Sequence, residues 1–196
     1  MTTLYFVRHA HSTYSTDEKA RPLSDTGQAD AIRLLETFQE IPIDRFYSSP
    51  YRRAIETIAP LAEARQQPII EVEELRERLL APGELDDFQG AVTYVWQHPN
   101  ENPYGGETNN EASQRIRPFI DELVEKHPDE TVVLGTHGNI MVLLLETFDP
   151  TFDYAFWKSL SMPAVCRMDV KSGEKADIHV VPLLTNTNYK RDGTDA

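Results

Sequence analysis

Thr131-Val132-Val133-Leu134-Gly135-Thr136-His137-Gly138 is an apolar, β-branched run that stops abruptly at a histidine and a glycine. With no polar alternation it reads as a strand buried on both faces, as parallel strands are. The residues after it, Gly138 to Leu145, are apolar enough for a buried helix. A buried strand, a polar junction and a helix make the repeating unit of an α/β sheet, in which ligands bind beyond the carboxyl ends of the strands. His137 and Gly138 therefore stand where a ligand is expected.

Working outward, Leu4-Tyr5-Phe6-Val7 repeats the pattern and ends in Arg8-His9. Arg45 to Ser48 and Ile69 to Val72 read as further strands. Gly27 to Phe38 reads as an amphipathic helix with Ile32, Leu35 and Phe38 on its stripe. Ser49-Pro50 offers an N-cap and a first helical position before Ala54, Ile55, Ile58, Leu61 and Ala62, and Pro60 implies a kink or an early end. Thr108 to Glu111 matches a capping box, and Ala112 to Val124 continues a helical face made imperfect by Pro118. Ala164 to Val170 and Ile178 to Leu184 read as closing strands, joined as a hairpin through Lys171 to Glu174, and Trp157, Met162 and Cys166 as core. Strands alternating with helices predict an α/β fold with a largely parallel sheet.

Over 196 residues, 19 Lys and Arg against 32 Asp and Glu leave a net charge of −13. That field excludes nucleic acid and anionic membrane surfaces as partners, because both are held through clustered cations. Hydrophobic residues at 40% and charged ones at 26% exclude disordered, collagen-like and coiled-coil chains. Cys166 is the lone cysteine, which rules out an intrachain disulfide or cysteine-based metal cluster and suits a reducing cytoplasm. With no secretory leader or apolar run of roughly 20 residues, the chain reads as soluble and cytoplasmic. One domain over 1–196 is expected, ending in a polar, frayed tail at 185–196; the oligomeric state stays open.

An Arg beside a His at a strand end suits a phosphate, since a guanidinium fork binds two oxygens while the imidazole faces phosphorus; a sheet-edge salt bridge accounts for Arg8 equally. Arg52 and Arg53 fall in a first helical turn, where free N–H groups already favour an anion, and one of them is a solvated surface residue. Glu77, in Leu75-Arg76-Glu77-Arg78, is either a proton donor or part of a charged loop.

In this order Arg8-His9, Ser48-Ser49-Pro50-Tyr51-Arg52-Arg53-Ala54 with Thr57, Leu75-Arg76-Glu77-Arg78 and Thr136-His137-Gly138 resemble the histidine phosphatase, or phosphoglycerate-mutase-like, family. The resemblance implies a three-layer α/β/α fold. It implies that His9 is the nucleophile, that Arg8, Arg53 and His137 hold the phosphoryl oxygens, and that Glu77 is the proton donor. Arg53 rather than Arg52 is the match, standing directly before Ala54 and four residues ahead of Thr57. Gly138, where the second branch has Asp, points to the first branch. Ser15, Gly138 and Thr108 are further substrate-contacting positions on the same resemblance. Ala10, His11 and Ser15 depart from the family's usual residues.

The chemistry is coherent on its own terms. A phosphate monoester dianion repels nucleophiles until cations neutralise it, and Arg8 and Arg53 do so without a metal or other cofactor. Neighbouring cations keep His9 neutral and nucleophilic, and Glu77 protonates the departing alkoxide before water, with Glu77 as base, cleaves phosphohistidine. A metal on His9, His11, His137 and a carboxylate is the competing use of these imidazoles, opposed by the two arginines.

Residues 79–110 are the least regular part of the sequence and, by similarity, form the lid that sets selectivity. This stretch holds Glu84, Asp86, Asp87, Glu101 and Glu107 but neither Lys nor Arg, which argues against a second anionic group on the substrate. Arg76 and Arg78 are partial substitutes. Phe88, Tyr94, Trp96 and Tyr104 either stack on a ring or pack the lid onto the domain. A phosphatase acting on a small phosphorylated metabolite is the favoured reading. The alternatives are a phosphoglycerate-type mutase and a weakly catalytic phosphate-binding or interaction module.

Overall fold

The computed structural model describes residues 1–171 and 175–183. Strands β1 (Thr2–Arg8), β2 (Arg45–Ser48), β3 (Ile69–Glu71), β4 (Thr131–Thr136), β5 (Ala164–Val170) and β6 (Asp177–Val181) form one sheet in the order β3-β2-β4-β1-β5-β6. The first four in this order run parallel, β5 runs antiparallel to β1, and β6 runs antiparallel to β5. The helices are α1 (Asp25–Thr37), α2 (Arg52–Ala64), α3 (Phe88–Gln97), α4 (Asn109–Lys126), α5 (Gly138–Glu146) and α6 (Tyr154–Ser159).

Alternation along β1 makes the three layers. Leu4 and Phe6 join the core under α3, α4, α5 and α6, while Tyr5 and Val7 join Leu34, Phe38, Ile58 and Leu61 of the α1 and α2 side. Burial on both faces is why β1 and β4 carry no polar alternation.

Several local expectations are corrected. Helix α1 is capped by Ser24 and begins at Asp25; its core face is Ala31, Leu34 and the adjoining Phe38, leaving Ile32 59% exposed. Tyr51, not Ser49, is the N-cap of α2, so Pro50 lies outside the helix and the Ser49 hydroxyl serves other partners. Pro60 and Pro118 lie within continuous helices, Pro60 on a half-buried face and Pro118 on an exposed one. The irregular 79–110 stretch contains α3, capped by Asp87. Trp157 and Cys166 are buried and Met162 is half-buried. The β5–β6 pairing bears out the antiparallel ending, whereas residues 172–174 of the expected turn, Leu184 and the tail at 185–196 lie outside the described residues.

Candidate active site

Strand register assembles the site. Arg8 pairs with Thr136 and Ser48 with Gly135, and the next residues continue these ladders: His9 N–H donates to the Thr136 carbonyl at 3.0 Å and Ser49 N–H to the Gly135 carbonyl at 2.8 Å. His9, His137 and Ser49 thus leave adjacent strands side by side at the carboxyl edge of the sheet. The His9 and His137 rings meet edge to face with centroids 5.3 Å apart. Both are buried, as are Arg8 and Arg53.

The first turn of α2 delivers Arg53, whose Nε donates to His9 Nε2 at 3.3 Å. On the other side of the ring, Nδ1 lies 2.8 Å from the Ala10 carbonyl. A carbonyl accepts and never donates, so Nδ1 carries the proton and Nε2 presents its lone pair. Burial, then the charges of Arg53 and Arg8, hold His9 well below the usual imidazole range. Burial, Arg53, His9 and Arg8 do the same for His137.

The other side chains are tethered by backbone. Arg8 Nη1 donates to the Leu160 and Ser161 carbonyls at 3.1 and 3.2 Å. Ser49 Oγ lies 2.7 Å from His137 Nε2, and the Tyr51 ring stands edge-on to the same imidazole and beneath the Arg53 guanidinium. Thr57 Oγ1 accepts the Ala10 N–H at 2.9 Å and donates to the Arg53 carbonyl at 2.7 Å, tying the segment after His9 to α2.

Glu77 seats its carboxyl against the start of α5. One oxygen accepts N–H groups of Ile140 and Arg78 at 2.9 and 2.8 Å, and the other that of Asn139 at 3.0 Å. Free N–H groups of a helix start hold a carboxyl well. The residues around Glu77 are held in turn by Glu107. Its carboxylate takes both Nη atoms of Arg76 at 2.7 and 2.9 Å, Nε and Nη2 of Arg115 at 2.8 and 3.1 Å, and the Leu79 N–H at 3.1 Å. Burial opposes its charge, but the hydrogen bonds of Arg76 and Arg115 prevail and hold its pKa at about 2. Arg76 is thereby committed to Glu107.

Gly138, at the head of α5, leaves space for Arg8: a Cβ there meets Arg8 Nε at 3.0 Å. Ser15 accepts the Asp17 N–H in a loop turn, and Thr108 is engaged in its capping box with Glu111. Neither is joined by a hydrogen bond to the two imidazoles among the described residues. His11 turns to the cap of α1, with Nδ1 2.7 Å from Ser24 Oγ. Trp96 donates to Asn139 Oδ1 at 3.1 Å and packs beside Tyr154 and Trp157, fastening α3 to the rest of the fold. Among the described residues, no group of three or more His, Cys, Asp or Glu is placed to hold a metal ion, and no helix is long and apolar enough to cross a membrane.

Sequence reasoning missed Arg21, Glu18, and the contacts of Ser49 and Tyr51. Arg21 is buried and close enough to lower the pKa of His9. It sits in the loop before α1, with no strand end or helix start to mark it.

Two imidazoles and three guanidiniums gathered at the carboxyl edge of a parallel sheet define an α/β enzyme of phosphoryl transfer. The model of the histidine phosphatase superfamily (branch 1) matches residues 4–179, and the chain belongs to that family, with its phosphoglycerate-mutase-like fold. It is 25% identical to the metal-independent phosphoserine phosphatase of Arabidopsis thaliana over 72% of this chain and 66% of that one, just under two thirds of its length. It is 28% identical to the 2,3-bisphosphoglycerate-dependent phosphoglycerate mutase 2 of Gloeobacter violaceus over 76% of each chain. Among solved structures, YhfR of Bacillus stearothermophilus superposes with a TM-score of 0.73 at 27% identity, covering 92% of this chain and 95% of that one.

Proposed function

We propose that this chain hydrolyses a small phosphate monoester through a phosphohistidine on His9, without a metal. The observation that carries the reading is the His9 ring itself, with Nδ1–H tied to Ala10 and the Nε2 lone pair facing Arg53 beside His137. Nε2 attacks phosphorus while the bond from phosphorus to the leaving oxygen breaks, and the equatorial oxygens spread over Arg8, Arg53 and His137. Glu77 gives its proton to the leaving alkoxide. A water then loses a proton to Glu77 and attacks phosphorus, the P–N bond breaks, and inorganic phosphate leaves.

The arrangement of cations supports hydrolysis over isomerisation. A mutase has to hold a second anionic group, and both Arg76 and Arg115 are already bound to Glu107. The reading extends to residues 79–110 as the segment that sets selectivity and to a small phosphorylated metabolite as substrate. The test is release of inorganic phosphate from an aryl phosphate with and without chelator. Chelator-resistant release lost in His9→Ala is expected. Isomerisation of phosphoglycerates without hydrolysis selects the mutase, and phosphate binding with neither activity selects a binding module.

A further inference from the structure

Arg53 and Arg21 are both buried guanidiniums at the same mouth, and in this structure one carboxylate serves both. Glu18 Oε2 lies 3.2 Å from Arg53 Nη1 and Oε1 lies 3.2 Å from Arg21 Nη1, while the Glu18 carbonyl accepts the Arg53 Nη1 hydrogen bond at 2.7 Å. The side chains of Arg53 and Arg21 are 6% and 8% exposed, against 53% for Glu18. The cations are fixed inside and the anion reaches them from solvent. A buried guanidinium left without an anion is costly, so an empty phosphate site needs a counter-charge. The loop holding Glu18 is locally built: Asp17 Oδ1 accepts the N–H groups of Lys19 and Ala20, and the Lys19 carbonyl accepts the N–H of Arg52 at the head of α2.

We propose that the Glu18 carboxylate is an internal stand-in for the phosphoryl group, seated on Arg53 and Arg21 while the site is empty and turned out to solvent when a phosphoryl dianion arrives. Binding is then an exchange of anions. The incoming phosphate has to displace an ion pair that already exists, which lowers its net affinity, and the returning carboxylate speeds product release. The same exchange favours dianions over weaker anions, because a single negative charge gains little by replacing another. This rests on the reading of Arg53 as a phosphoryl ligand.

Calorimetric titration of inorganic phosphate into the wild-type protein, Glu18→Gln and Glu73→Gln tests it. Glu73, which pairs with Lys19 beside Glu18, faces the same loop without an ion pair to Arg53 or Arg21 among the described residues, and so controls for the loss of a nearby negative charge. Glu18→Gln is expected to bind phosphate about tenfold more tightly, equivalent to about 1.4 kcal/mol, with Glu73→Gln within about twofold of wild type. In the wild-type protein a ¹³C label on the Glu18 carboxyl is expected to shift as phosphate saturates, an observation that needs no variant. Equal or weaker binding in Glu18→Gln, or an unmoved Glu18 carboxyl at saturation, overturns the proposal alone. Phosphate binding to none of the three proteins overturns it together with the phosphatase reading.

Discussion

Arg53 aims its Nε–H at Nε2 of His9 across 3.3 Å, so the cation proposed to hold substrate also touches the atom proposed to attack it. Its Nη1 is meanwhile held by the Glu18 carbonyl. Such a two-sided grip needs a planar fork of donors, which an ammonium lacks. Arg53→Lys is expected to lower kcat/KM for an aryl phosphate by about 100-fold, about 2.7 kcal/mol of transition-state stabilisation, with the far-UV spectrum unchanged. Steady-state kinetics check this.

Burial and the flanking arginines depress both site imidazoles, so His9 and His137 are neutral at pH 7. Their ring resonances are expected to keep neutral-form shifts at pH values where an ordinary imidazole, near 6.5, is already mostly charged. The sign for stability follows. As pH falls below about 6.5 the unfolded chain takes up protons that the folded one refuses, so this pair favours folding above that pH and weakens it below. NMR titration of the rings and urea unfolding across pH 5 to 7 check the two halves.

Glu107 touches the main chain at Leu79 and the side chain of Arg76, which flank Glu77 on both sides. It therefore positions the proposed proton donor without touching substrate. In Glu107→Gln, hydrolysis of an alkyl phosphate is expected to fall about tenfold, while that of nitrophenyl phosphate, whose leaving group departs without a proton, falls less than about threefold. The wild-type carboxylate, held at about 2, stabilises the fold above the unfolded carboxyl value near 4.3 by about 3 kcal/mol, lost as pH drops from there toward 2. Unfolding of wild type and variant at pH 7 and pH 3 is expected to show the gap narrowing at the lower pH.

Gly27 lies in the first turn of α1 with its Cα against the chain that follows His9; a Cβ there falls 2.0 Å from the His11 carbonyl oxygen. That atom is backbone, and it also accepts the Ser24 N–H, so it cannot yield cheaply. Gly27→Ala is expected to cost roughly 3 kcal/mol in chemical denaturation and to lower activity by displacing residues 9–15.

Much of this is legible in the sequence because strand ends are conspicuous. Val132 to Leu134 and Leu4 to Val7 announce buried parallel strands, and whatever polar residue follows is carried to the carboxyl edge, which is how Arg8, His9 and His137 are found. Arg53 is legible through the helix start around it, although the cap is Tyr51 and not Ser49. Helix α3 carries one buried stripe, Phe88, Ala91, Val92 and Val95, but Gly90 and its β-branched and aromatic residues disfavour a helix by local propensity, which hides it in the sequence. Arg21, Glu18 and Glu107 are illegible for another reason. Their roles come from ion pairs across loops, and a charged residue in a loop looks the same in sequence whether it meets solvent or a buried guanidinium.

The most direct test of the central claim is rapid acid-free quenching of the enzyme during turnover of a ³²P-labelled monoester, followed by mapping of the labelled peptide. The account predicts a base-stable, acid-labile label on His9, joined through Nε2, that appears within one turnover and is missing in His9→Ala. Turnover with no label on any histidine, or a label that persists in His9→Ala, contradicts it.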